Sequence, residues 1–177
     1  FFFWGIILIC WVIASIDCRK NGFFIQKRIG MNGKIFKIIK IRTMRENLSI
    51  STTITTINDS RITRIGKFFR KTKIDELPQL WNVLVGEMSF VGPRSDVPGY
   101  ADKLEGKNKQ ILLMRPGITG PAQLFFKNEE SILAQHKDAR AYNDEVIWPK
   151  KVKMNLDYVL NYSFLKDFHY IWKTLVK

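Results

Sequence analysis

Asp75 and Glu76 are adjacent carboxylates just downstream of a basic run made by Arg70, Lys71 and Lys73. Two acids among fixed cations suit a group that must stay ionised, either a nucleophile or a metal ligand. The stretch Ile74-Asp75-Glu76-Leu77-Pro78-Gln79-Leu80-Trp81-Asn82 also carries a helix signal. Asp75 is expected to be the N-cap of a helix starting at Glu76, with Pro78 in its first turn. Leu77, Leu80, Trp81 and Leu84 then fall at helical spacing and define a buried face. A helix N-terminus at this point favours negative charge and an incoming anion. Taken alone, an Asp-Glu pair reads more readily as a cap followed by a helix-start acid than as a site. Its surroundings decide the matter.

Several elements must hold that pair. Phe23 to Ile29 and Lys34 to Thr43, on either side of Gly30 and Asn32-Gly33, read as two short strands joined by a turn. Glu46 to Ser60 is rich in Ser, Thr and Asn and reads as a loop. Arg61 to Lys71 forms an amphipathic helical pattern with Ile62, Ile65, Phe68 and Phe69 on one side. That helix either lies at a membrane surface or faces the core. Downstream, Gly86, Gly92 and Pro93 mark a turn-rich loop, and Asp96 to Met114 reads as helical. Arg115-Pro116-Gly117 breaks the chain, with a short strand expected at Ala122 to Phe126. Ser131 to Tyr162 reads as largely helical with an interruption near Trp148-Pro149. Leu160, Phe164, Phe168, Ile171 and Leu175 give a final helix one apolar face. The fold class expected is α/β, mostly helical with a small β element, in a single domain of 177 residues.

The net charge of +13 is concentrated: residues 19–73 hold 15 Lys/Arg against only Glu46 and Asp59. Phe1 to Ile16, just before that segment, is almost wholly apolar. A basic region after an apolar stretch is what the positive-inside rule places on the cytoplasmic side. Anionic lipid adds roughly 1 kcal/mol per suitably placed Lys or Arg. Nucleic acid is the competing partner for such a patch, but no zinc-finger, RNA-recognition or basic-zipper pattern accompanies it, so none is expected. Sixteen apolar residues fall short of the roughly 20 that span a bilayer. A truncated spanning helix, a buried core helix and a re-entrant element remain open. The chain opens on Phe1 rather than Met, and residues upstream are expected. Cys10 and Cys18 suggest neither a disulfide framework nor a metal site, and His136 and His169 lack ligand-spaced partners.

Six ordered blocks carry a resemblance. They are Phe24-Ile25-Gln26-Lys27-Arg28-Ile29-Gly30, Phe36 to Met44, Ile65 to Thr72, Asp75 to Asn82, Gly86 to Arg94, and Arg115-Pro116-Gly117-Ile118-Thr119-Gly120. In this order they resemble the bacterial sugar transferases of the monotopic phosphoglycosyl transferase type. The resemblance implies transfer of a phospho-sugar from a nucleotide sugar, UDP-linked, to polyprenyl (undecaprenyl) phosphate, initiating a surface glycan. It implies Asp75 as the nucleophile, forming an aspartyl-phosphosugar, and Glu76 as a ligand to Mg²⁺. Lys40, Arg70, Arg94 and Arg115 would bind substrate phosphate. It further implies a re-entrant membrane-inserted segment at 1–18, a cytoplasmic catalytic domain at 19–177, and the bacterial inner membrane as location. A homo-oligomer is left open. A non-catalytic membrane-surface anchor of the same fold is the alternative, against which the intact acid pair argues.

Overall fold

The computed structural model describes residues 2–46 and 54–176. The expected loop from Glu46 to Ser60 therefore lies partly outside the described residues. What is described is mostly helical, with two two-stranded sheets.

The first helix, α1 (Phe2–Cys18), is unbroken. Ile7, Cys10 and Ala14, three and four residues apart, share one face and are buried with Ile41 and Phe69. Ile74 and Leu77 pack against the same cluster. The opposite face is apolar and open: Leu8, Ile9 and Ile16 are 61%, 61% and 75% exposed. Among the described residues no helix is long and apolar enough to cross a membrane.

β1 (Phe23–Ile29) and β2 (Ile35–Ile41) form the expected antiparallel hairpin. Their register runs from Phe23 opposite Ile41 to Ile29 opposite Ile35. Asn32 and Gly33 take left-handed conformations, φ 57° and 75°, that let the chain reverse. Directly paired residues point to the same face, and alternate residues along a strand do too. Arg28, opposite Phe36, therefore shares its face with Ile38 and Lys40.

α2 (Arg64–Thr72) begins later than the pattern suggested, because the Thr63 hydroxyl caps it by accepting from the Gly66 amide at 2.8 Å. Gly66 is needed there: a Cβ would lie 2.1 Å from the Thr43 carbonyl oxygen. Lys73 ends α2 in the left-handed region, φ 60°. The chain then makes a single 3₁₀ turn, Ile74–Glu76, before α3 (Gln79–Leu84). Asp75 is thus not an N-cap, and the helix expected from Glu76 starts three residues later, after Pro78. Proline is most easily placed ahead of the first α-helical hydrogen bond, which sets this boundary.

Asn82, 1% exposed, ties α3 to the hairpin. Its amide nitrogen donates to the Lys37 carbonyl at 2.8 Å and to Glu87 Oε2 at 2.7 Å. Its oxygen accepts from the Ile39 amide at 3.3 Å. The acid turn is thereby clamped beneath β2.

β3 (Ser89–Val91) and β4 (Gly117–Thr119) form a short parallel pair. The expected helix over 96–114 is instead two 3₁₀ segments, Ala101–Lys103 and Gly106–Leu113. The expected strand at 122–126 is α4 (Pro121–Phe125), which Pro121 opens from its first turn. A short apolar run does not by itself separate strand from helix. α5 (Glu129–Leu133), α6 (Ala139–Tyr142) and a π turn at Asn143–Ile147 lead into α7 (Trp148–Leu160). Pro149 causes no interruption there, since it sits in the first turn of α7, where its missing N–H costs nothing. α8 (Phe164–Leu175) follows, with Phe164, Phe168, Trp172 and Leu175 exposed.

Candidate active site

Asp75 and Glu76 enter the site from a turn fixed on three sides: α2 before it, α3 after it, and β2 above it. Glu76 Oε1 accepts from Lys40 Nζ at 3.1 Å, and both side chains are largely buried. Arg28, Lys40, Glu76, Gln79, Arg94 and Ser95 line a small polar pocket.

Arg94 arrives on the loop after β3. That loop is held by the Gly92 amide donating to the Thr119 carbonyl at 2.9 Å and the Gly117 amide donating to the Pro93 carbonyl at 2.8 Å. The two backbones approach so closely that a Cβ on Gly117 would lie 2.1 Å from the Gly92 nitrogen. Glycine is the residue that allows this contact.

The two acids are not equivalent. Burial opposes ionisation of Glu76, but Lys40, Arg94 and Lys73 outweigh it and hold its carboxyl far below the usual range. Asp75 goes the other way. Burial, then the neighbouring Glu76 charge, push it up to about 6, with Lys40, Lys73 and Arg70 pulling against them. Asp75 Oδ1 is buried without a hydrogen-bond partner. The expectation that Arg70, Lys71 and Lys73 would dominate this carboxyl therefore needs correction. Burial leads, and Lys71, which is exposed, is not among the charges that act on it most strongly. Asp75 is still mainly ionised at neutral pH, but poorly solvated and unpaired. A buried carboxylate of this kind is a candidate for chemistry.

The cations differ in how free they are. Burial lowers Lys40, with Glu76 opposing. Arg94 is raised despite burial, because Glu76, Glu129, Asp96 and Asp75 surround it. Arg70 lies close enough to act on Asp75 but is engaged by Glu130 and by the Thr43 hydroxyl at 3.2 Å. Arg115 does not join the pocket: it is exposed, with its guanidinium next to Gly86. Of the six residues singled out from the sequence, Asp75, Glu76, Lys40 and Arg94 come together, Arg70 stands beside them, and Arg115 lies apart.

The sequence reading did not single out Arg28, Asp96, Glu129 and Lys151. Lys151 Nζ bonds Glu129 Oε1 at 2.7 Å, and both act on the Arg94–Asp96 loop from α7 and α5. Nothing local marks them. Arg28 was within reach, because the hairpin register puts it on the face of Lys40.

Magnesium can be tested against these residues. Among the described residues there is no group of three or more His, Cys, Asp or Glu able to hold a metal by itself. Mg²⁺ is commonly held by one or two carboxylates together with substrate phosphates and retained water. A strongly ionised Glu76, next to an Asp75 oxygen with no partner, fits that donor set.

The sequence pattern of the bacterial sugar transferases matches residues 1–177. The chain belongs to the bacterial sugar transferase family. This bacterial sugar transferase is 36% identical over 187 residues to "Galactosyl transferase CpsE" of Streptococcus agalactiae, covering 96% of the chain and 38% of the relative. It is 36% identical over 180 residues to "UDP-glucose:undecaprenyl-phosphate glucose-1-phosphate transferase" of Xanthomonas campestris, covering 98% and 35%. It is 37% identical over 174 residues to "Exopolysaccharide production protein PSS" of Rhizobium leguminosarum, covering 93% and 81%. The chain thus spans little more than a third of the first two relatives and most of the third.

Proposed function

We propose that this chain transfers a sugar 1-phosphate from a UDP-linked donor to undecaprenyl phosphate, with Asp75 as the nucleophile. The observation that carries this reading is the buried, unpartnered Asp75 oxygen next to a strongly ionised Glu76, which itself lines a pocket with Lys40, Arg28 and Arg94. The names of the relatives, among them sugar-phosphate transferases to undecaprenyl phosphate from two bacteria, support the substrate classes.

The donor diphosphate is an anion that a carboxylate repels, and the cations offset that repulsion in a preorganised site. An Asp75 oxygen attacks the phosphorus that bears the sugar. The bond from that phosphorus to the bridging oxygen breaks, and the nucleoside monophosphate leaves with the electron pair. A phosphate oxygen of the lipid then attacks the same phosphorus, giving polyprenyl diphosphate sugar and returning the Asp75 carboxylate. Splitting one transfer between two anions into two steps is the gain of the covalent route. Glu76 would hold Mg²⁺, which when bound supplies charge neutralisation on the phosphates. Lys40 keeps Glu76 aimed into the pocket.

Such a lipid acceptor requires contact with a membrane. Three features support it: the open apolar face of α1, the open apolar face of α8, and the basic segment that follows α1. Residues 1–18 would then lie in the cytoplasmic leaflet of the bacterial inner membrane, with 19–177 on the cytoplasmic face. Because Ile7, Cys10 and Ala14 pack on the domain, α1 would enter from one side only.

Incubation with UDP-sugar and Mg²⁺ but no lipid tests the chemistry. Intact-mass spectrometry should show a phosphosugar adduct and UMP should appear, both absent with Asp75→Asn. UMP that appears only after lipid is added, or an adduct that persists in Asp75→Asn, would take the nucleophile role away from Asp75.

A further inference from the structure

Arg28 has one hydrogen bond that explains its position and one donor that nothing explains. Its Nη1 donates to the Ser95 carbonyl at 2.9 Å, tying β1 to the loop that carries Arg94. Its Nε is buried with no partner, and a buried donor without an acceptor is costly. The side chain lines the pocket shared by Lys40, Glu76 and Arg94. On that lining three cations face one carboxylate. Burial, then the Arg94 charge, lower Arg28 to about 10, so two guanidinium groups are held together against their repulsion. Asp96 nearby supplies a counter-charge, although burial pushes its own carboxyl up to about 6. What remains without an acceptor is the Arg28 Nε.

An anion meeting that donor would differ from the phosphate Asp75 attacks, because Arg28 lines a pocket with Lys40 and Arg94 that Asp75 does not line. Lys40 lines the pocket and also acts on Asp75, so two phosphate positions flank it. In a nucleotide sugar the attacked phosphorus carries the sugar and the other belongs to the nucleoside. Resting on the reading of the site given above, we infer that Arg28, together with Arg94, binds the phosphate that departs with the nucleoside. Its free Nε and remaining guanidinium donors can accept a phosphate monoester in the planar manner that lysine cannot reproduce.

The test uses the first half-reaction in both directions. Without lipid, labelled UMP should exchange into UDP-sugar through the covalent intermediate, and the UMP concentration giving half-maximal exchange reads this subsite. Arg28→Gln should raise that concentration roughly tenfold or more, the loss of a charge-assisted bond. Its unliganded Tm should stay near wild type, since the glutamine amide still reaches toward the Ser95 carbonyl. Arg28→Lys keeps the charge and should give a smaller, several-fold rise. A purely structural role would lower Tm and the exchange rate but leave the UMP concentration unmoved, and that result overturns the inference. Should Arg28→Gln fail to fold, Arg28→Lys decides alone: an unchanged UMP concentration refutes it. Absence of both exchange and adduct in the wild type would instead sink the covalent reading, so the two failures are distinguishable.

Discussion

Replacing Asp75 with asparagine should inactivate the protein and also make it more stable. Burial and Glu76 raise the Asp75 carboxyl from 3.8 to about 6. For an acid, a raised native pKa means that the folded state binds the proton more tightly than the unfolded chain does. Native stability therefore falls as pH rises from about 4 to about 6 and stays reduced above it. Each pK unit is worth about 1.4 kcal/mol, so ionised Asp75 costs the fold up to about 3 kcal/mol at neutral pH. Asparagine keeps the shape without the charge. In urea or thermal denaturation at pH 7.5, Asp75→Asn should gain up to about 3 kcal/mol, a Tm rise on the order of 5–10 °C. At pH 4 the wild-type carboxyl is protonated when folded, and the gain should vanish. An Asp75→Asn protein that is less stable at pH 7.5, or equally stabilised at both pH values, would refute the unpaired buried carboxylate. The same titration appears in function: adduct formation should be half-maximal near pH 6 and fall about tenfold per unit below it.

Glu76→Gln removes the charge that repels Asp75, so the acid limb of adduct formation should move below pH 6. Turnover should nevertheless fall and need more Mg²⁺; an unmoved Mg²⁺ dependence would place the metal ligand elsewhere. Asn82→Ala strands the Lys37 carbonyl and the Ile39 amide, and should cost about 2–3 kcal/mol in chemical denaturation. Lys73→Gly relieves a left-handed lysine and should stabilise the fold by up to about 1 kcal/mol. It also removes a cation that lowers Asp75, so the acid limb should move up in the same protein.

The hairpin was legible because its alternation and its Asn-Gly turn are local signals. α2 was legible because its charged and apolar sides separate cleanly. The acid pair was legible as a candidate site but misplaced as structure. Asp75 is a good capping residue by type, yet Thr63 caps the preceding helix and Pro78 delays the following one. Its ionisation could not be read from neighbours in sequence, since β2, distant along the chain, packs against the turn. β3 and β4 escaped because three-residue parallel strands leave almost no periodic trace, and their partners lie 28 residues apart. Arg115 sits beside a glycine-proline turn like Arg94 does, but only the long-range pairing shows that one points into the pocket and the other to solvent.

Handling the protein outside the cell follows from how α1 is packed. The face bearing Ile7, Cys10 and Ala14 closes the same apolar cluster that supports Ile74 and Leu77, immediately before and after the acid pair. Trimming the first 18 residues to obtain a water-soluble form would uncover Ile41 and Phe69 and loosen the turn that carries Asp75. Such a fragment should aggregate or lose its catalytic geometry, whatever detergent is spared. Polar replacements confined to Leu8, Ile9 and Ile16 leave the packed face intact. They are the better route to a protein that dissolves while keeping its active site.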